Sequence, residues 1–138
     1  MVRRHHLKSD FRSFDLTLLA SCVLCFGTFD ASAENTTYYV TTGSSGNNSN
    51  DGLSADTPWE TMMKLETMTF GPGDQILFSK GKVFSGSFEL NGNGAEGNPI
   101  VIGSYGEGDD KPSLQARDSD DEVIRLKKNK HVTIKDLE

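Results

Sequence analysis

The densest run of side chains that could do chemistry is Arg125, Lys127, Lys128, Lys130, His131 and Lys135. Clustered cations of this kind can touch an anionic glycan. They also alternate well in a solvated turn, which is the reading favoured by the acidic stretch Asp118, Asp120, Asp121 and Glu122 just before them. His131 has the type of a general base, but no Ser or Cys nucleophile is matched to it, so a turn histidine is the better reading. Asn47-x-Ser49-x-Asp51-Gly52 echoes a calcium loop with glycine in the sixth place, yet its twelfth place is Pro58 and it holds one carboxylate. Calcium takes about six to eight oxygens, so an Asx-rich turn is expected instead. Gly92, Gly94 and Gly97 form no strand–GxGxxG–helix unit, and no nucleotide site is read there. Asn35-Thr36-Thr37 and Asn47-Asn48-Ser49 are glycosylation sequons, relevant only in a host that glycosylates. No residue stands out as catalytic or as a metal ligand, the substrate-binding residues are not legible, and no cofactor is identifiable.

The elements that must position any such site are bounded by composition. The chain has 138 residues, a formal net charge of −6 and 35% hydrophobic residues. That length suits one domain, or one domain plus a leader. The acidic balance argues against nucleic acid as a partner, because phosphate binding needs a basic face. No apolar run reaches the roughly 18 residues that span a bilayer, so no transmembrane segment is expected after signal removal.

Residues 1–33 read as a signal peptide. Arg3, Arg4, Lys8 and Arg12 make a basic start, Leu16 to Phe29 an apolar stretch, and Ala31-x-Ala33 a small-x-small cleavage site. Cleavage after Ala33 leaves residues 34–138, in a secreted, periplasmic or extracellular setting. Cys22 and Cys25 fall in the leader, where their C-x-x-C spacing is read as neither redox nor metal chemistry, and Leu19-Ala20-Ser21-Cys22 is discounted as a lipoprotein box. The mature piece has no cysteine and must hold itself by packing.

The mature chain begins with an aromatic, β-branched strand at 38–41, followed by a polar loop through Asp51-Gly52. Thr57-Pro58-Trp59-Glu60 predicts a helix start, with Thr57 as cap, Pro58 at the first helical position and Glu60 completing a capping box. Trp59, Met62 and Met63 would form its apolar face, ending near Met68. Further strands are expected at 75–78, 87–90, 99–103, 122–126 and 131–134, separated by glycine turns. Ile76, Ile100 and Ile124 recur at a spacing of 24, with Phe88, Leu114 and Ile134 interleaved. A repeat of this class signals a solenoid. An antiparallel sandwich is the structural rival, and Asn91-Gly92-Asn93-Gly94 could close a hairpin in it. Asn91, Asn98 and Asn129 near the corners are expected to stack or to bond backbone.

An ordered series of words carries a resemblance: Tyr38-Tyr39-Val40, Asn50-Asp51-Gly52-Leu53-Ser54, Thr57-Pro58-Trp59, and Gly71-Pro72-Gly73-Asp74-Gln75-Ile76-Leu77-Phe78. It continues in Phe84-Ser85-Gly86-Ser87 and in Gly97-Asn98-Pro99-Ile100-Val101-Ile102-Gly103-Ser104-Tyr105-Gly106. Over about residues 38–137 this resembles the opening of secreted right-handed parallel β-helix proteins of the pectate-lyase-like superfamily. The resemblance implies a mainly β fold: the N-terminal coils of a right-handed parallel β-helix, with a short capping α-helix over residues after Thr57. It implies a polysaccharide partner, with acidic glycans among the candidates, and polysaccharide-lyase-like chemistry on uronic-acid chains. In such lyases a cation or arginine neutralises the uronate and a Lys, Arg or His base takes the adjacent proton. Those residues sit on middle coils, so none is carried over here, and calcium, a candidate cofactor for the full-length family, finds no support in this chain. The resemblance also implies more coils after Glu138, making this an N-terminal fragment. A non-catalytic extracytoplasmic module that binds glycan or serves a structural role is the alternative.

Overall fold

A computed structural model of the chain describes residues 34–117 and 122–138. The leader and its cleavage site, and the acidic residues Asp118, Asp120 and Asp121, lie outside the described residues. No helix among the described residues is long and apolar enough to cross a membrane.

The described chain is mainly β. Its strands are β1 (Thr37–Val40), β2 (Gln75–Ser79), β3 (Val83–Ser85), β4 (Phe88–Glu89), β5 (Ile100–Tyr105), β6 (Ser113–Gln115), β7 (Ile124–Arg125) and β8 (Val132–Ile134). Every pairing between them is parallel. They form a four-stranded sheet in the order β1-β2-β5-β8 and two two-stranded sheets, β3-β6 and β4-β7. The chain therefore visits the three sheets in turn through β2, β3 and β4, repeats the visit through β5, β6 and β7, and returns to the first sheet at β8. This excludes the antiparallel sandwich. The 91–94 segment closes no hairpin: Gly92 makes a parallel bridge to Phe70, and the antiparallel bridge nearby joins Ala95 to Asn98.

Alternation sets which side chains go inside. In β2, Ile76 and Phe78 are buried while Gln75, Leu77 and Ser79 are partly exposed. The register places Ile76 beside Ile102 in the next strand and beside Tyr38 in the preceding one. Phe78 meets Phe84 edge-on at 4.9 Å between centroids and lies 6.4 Å from Phe88, so aromatic rings from all three sheets converge. Val40, Leu90 and Ile100 complete this core. Each fully buried side chain of this size contributes about 1.5–3 kcal/mol by leaving water.

The spacing of Ile76, Ile100 and Ile124 is not the structural repeat. Ile76 pairs with Ile102, Ile100 with Val132, and Ile124 with Phe88 in a different sheet. Phe88, Leu114 and Ile134 likewise belong to three separate sheets. Corner segments differ in length, so equivalent positions do not recur at one interval. The strands β3 and β6 are too short to register as apolar words, and only Phe84 and Leu114 mark them.

The helix expected after Thr57 is corrected. No α-helix occurs among the described residues; Met62–Thr67 is a 3-10 segment whose cap position is Thr61. The backbone before it is committed elsewhere. Trp59 donates its N–H to Tyr39 (2.9 Å) and its carbonyl accepts from Thr41 (2.9 Å), which makes it a rung beside β1. The Thr57 hydroxyl donates to Asp51 (2.7 Å), so it caps no helix. Asn48 Oδ1 accepts from the N–H groups of Glu60 and Thr61, and so occupies the donors that a helix start would present. In a 3-10 turn residues three apart share a face. Met62 and Leu65 are accordingly buried, and Met63, expected on the apolar face, is 59% exposed.

Three Asx side chains hold corners together. Asn129 Nδ2 donates to the carbonyls of Leu90 (3.0 Å) and Gly92 (2.7 Å), and Asn91 Nδ2 donates to Glu66 O (3.0 Å). Asp74, buried, accepts from the N–H of Thr36 (2.9 Å) and of Gly71 (2.8 Å), and so ties the start of β1 to the turn before β2.

Candidate functional site

The strands β2 and β5 lie side by side and end at Ser79 and Tyr105, and β8 ends beside β5. The turns that leave this corner border an open cavity of about 360 Å³. Lys80, Ser104, Tyr105, Asp109, Lys111 and Asp136 line it, together with Gly106 and Gly108. The loop 106–110 is fastened to the turn after β2. Lys80 donates its backbone N–H to Tyr105 O (2.9 Å) and its ammonium to Gly108 O (2.9 Å), and Gly81 N–H donates to Asp110 O (3.0 Å). Asp136 sits at φ 57°, a left-handed conformation that Asp tolerates better than most residues.

Tyr105 borders the cavity, but its ring and hydroxyl are turned to residues that do not line it. Its ring meets Tyr39 at 5.0 Å and 89°, a T-shaped pair on the long sheet. Burial pushes its phenol above the ordinary value, while hydrogen bonding with Ser79 and Thr41 pulls the other way and the nearby Tyr39 adds a smaller upward push. The phenol is therefore neutral at any physiological pH.

Sequence reasoning missed this site. Its signal was the run Gly106-Glu107-Gly108-Asp109-Asp110-Lys111 directly after a strand that ends in an aromatic residue.

The residues singled out from the sequence do not converge there. Arg125 donates to Ser87 Oγ (2.9 Å), and Lys127 pairs with Glu89 at 2.7 Å. His131 lies in a left-handed turn at φ 52°, exposed, with its carbonyl accepting from Ile100. The basic stretch is thus spread over turns rather than gathered in a cleft. The loop that echoed a calcium site is an Asx structure. Asn47 Oδ1 accepts from Ser49 N–H (2.8 Å), and Asp51 Oδ1 accepts from Leu53 N–H (3.0 Å). Leu53 N–H, then the Thr57 hydroxyl, hold the Asp51 carboxyl below its usual range. Among the described residues no group of three or more His, Cys, Asp or Glu is placed to hold a metal.

Two further grooves adjoin each other between the 3-10 segment and β3, sharing Thr61, Met62 and Ser85. Asn48 there is engaged with Glu60 and Thr61, and Glu66 with Glu89 N–H (3.3 Å).

No family model matches the chain. Among curated proteins it is similar to the lacto-N-biosidase of Bifidobacterium longum subsp. longum, 33% identical over 93 residues, which cover 63% of this chain and 6% of that protein. Among solved structures it is similar to the GH136 lacto-N-biosidase of Eubacterium ramulus. The selenomethionine crystal form gives a TM-score of 0.63 at 27% identity, and the native form 0.62 at 26%. Each superposition covers 74% of this chain and 20% of the solved one. The chain thus spans a small part of the relatives it matches.

These likenesses correct the family expected from the sequence. The relatives are GH136 lacto-N-biosidases, glycoside hydrolases, and not pectate-lyase-like proteins. The expectation of a lyase acting on uronic-acid chains falls with it. The words that carried the resemblance are turn and strand punctuation, Gly-Asp before β2 and Asn-Pro before β5, which report how a parallel ladder turns its corners and not which sugar it meets.

Proposed function

We propose that this chain contributes the opening coils of a parallel β-helix to a carbohydrate-active protein related to the GH136 glycoside hydrolases, with an oligosaccharide as its partner. The observation that carries this reading is the 33% identity over 93 residues to a lacto-N-biosidase. The sequential return of the chain to three parallel sheets supports the helical architecture. A right-handed path is the general rule for parallel crossovers within a sheet. The described residues supply scaffold and glycan contact. We also place the protein outside the cytoplasm, on the leader pattern of residues 1–33, which N-terminal sequencing of exported protein would test.

The decisive experiment is a chimera. Residues 34–138 replace the superposed stretch of the Eubacterium ramulus enzyme, and release of lacto-N-biose from a chromogenic lacto-N-bioside is followed. A soluble, active chimera is expected. A chimera that expresses but neither folds nor turns over would overturn the reading. A non-catalytic glycan-holding module is the second reading, favoured by the corner cavity, and it expects retention of neutral oligosaccharide by the isolated chain.

A further inference from the structure

We propose that the free edge of β3 docks one extended peptide segment, which adds as a parallel strand with a cation toward its N-terminal end and a carboxylate toward its C-terminal end. The strands β2, β3 and β4 make one turn of the ladder, and each has a side that faces the earlier part of the chain. On β2 that side is paired with β1. On β4 the 3-10 segment covers it: the Glu66 carboxylate accepts from Glu89 N–H (3.3 Å), and Glu66 O accepts from the Asn91 amide (3.0 Å). On β3 it is open. Ser113 N–H donates to Lys82 O (2.9 Å) and Gly86 N–H to Gln115 O (2.9 Å), so Lys82, Phe84 and Gly86 are the residues bonded toward β6. By alternation, Val83 and Ser85 turn their N–H and carbonyl groups the other way. Among the described residues none of these four groups has a hydrogen-bond partner.

The two adjoining grooves, about 260 and 380 Å³, lie along this edge. Val83 is 53% exposed, and neither it nor Ser85 brings the charge or proline that commonly blunts a free edge. A parallel segment would bond through its residue opposite Phe84, giving its N–H to Val83 O and accepting from Ser85 N–H. That residue must be small, because the buried Met62 already lines both grooves beside Phe84 and Ser85. Charge selects what flanks it. Glu60 lines the groove at Val83, and Arg117 lines the groove at Gly86, where a side chain on Gly86 would meet the Arg117 Nε at 3.9 Å. A lysine opposite Val83 covers the exposed valine with its stem and offers its ammonium to Glu60. An aspartate opposite Gly86 meets Arg117. The reverse arrangement sets like charges together at both ends.

The test is a titration of the full chain with the peptide acetyl-Thr-Lys-Ala-Thr-Asp-Thr-amide, followed by amide chemical shifts. The amides of Val83 and Ser85 are expected to move while those of β5 stay in place. The charge-reversed peptide acetyl-Thr-Asp-Ala-Thr-Lys-Thr-amide should bind about tenfold more weakly. The first peptide methylated on its alanine nitrogen lacks the N–H for Val83 O and should not bind. Ser85→Pro removes an N–H that the ladder does not use, so it should abolish binding in a folded chain. Arg117→Glu, an exposed change, should weaken the first peptide by about tenfold and strengthen the reversed one. Unmoved Val83 and Ser85 amides at millimolar peptide would overturn the docking site. So would equal binding of the methylated or the reversed peptide. Shifts of the same two amides on raising the protein concentration alone would assign the edge to a second copy of the chain and overturn the peptide.

Discussion

Gly52 lies against the indole of Trp59 with no room for a side chain between them, and it sits at φ 72°. The Trp59 indole N–H donates to Asn50 O (2.9 Å), while Gly52 O accepts from Tyr39 N–H (2.8 Å). One glycine thus lets the 50–59 loop close over β1 and fill the edge that a parallel sheet would otherwise leave open. Gly52→Ala adds overpacking to left-handed strain, together about 2–4 kcal/mol of lost stability. Urea unfolding of wild type and variant measures this directly; a midpoint unchanged by the substitution would contradict the packing.

Asp74 reaches two separate segments through its two oxygens, Thr36 N–H and Gly71 N–H. Asp74→Ala leaves both donors without their partner and should cost about 2–4 kcal/mol. Hydrogen exchange would show where: the amides of β1 should lose protection before those of β5.

Asn129 donates to two carbonyls, so the chemistry of its amide matters more than its shape. Asn129→Ala should cost about 1–3 kcal/mol. Asn129→Asp should be worse above pH 5, because it turns an anion toward two acceptors, and should recover partly in acid. Thermal melts at two pH values separate the cases. Equal melting of the Ala and Asp variants at neutral pH would count against the assignment.

Burial raises the phenols of Tyr38 and Tyr105 above 10.0; for Tyr38 the Asp74 charge adds to the burial while Thr36 opposes it. A group raised in the folded state stabilises the fold fully below its unfolded value, and that contribution is lost as pH rises through the folded value. Stability should therefore hold up to about pH 10 and fall above it. Absorbance at the phenolate band, followed with circular dichroism, should show these tyrosines ionising as the sheet signal is lost. Complete ionisation of every tyrosine in an intact fold would contradict the burial of these two rings.

Much of the ladder was legible because its strands are β-branched and aromatic words between glycine turns. The segments around Tyr38, Ile76, Ile100 and Val132 all became strands of the long sheet. The helix failed for a tertiary reason: Thr57, Pro58 and Glu60 form a sound local signal, yet Trp59 gains more by pairing with β1 and filling the core than by starting a helix. The repeat failed because Ile100 is inward-facing but out of step with Ile76. The corner cavity had a sequence signal only in its 106–111 run, because Lys80, Tyr105 and Asp136 are distant in sequence and meet only when strands stack in register.

The unequal corners have an evolutionary consequence. A ladder of this kind separates what must stay constant from what can vary: rungs such as Ile76 beside Ile102 tolerate no slip, whereas a corner that takes no part in the pairings can change length without shifting their register. Recognition can then be rewritten one corner at a time, by insertion, while the hydrogen-bonded frame is inherited unchanged.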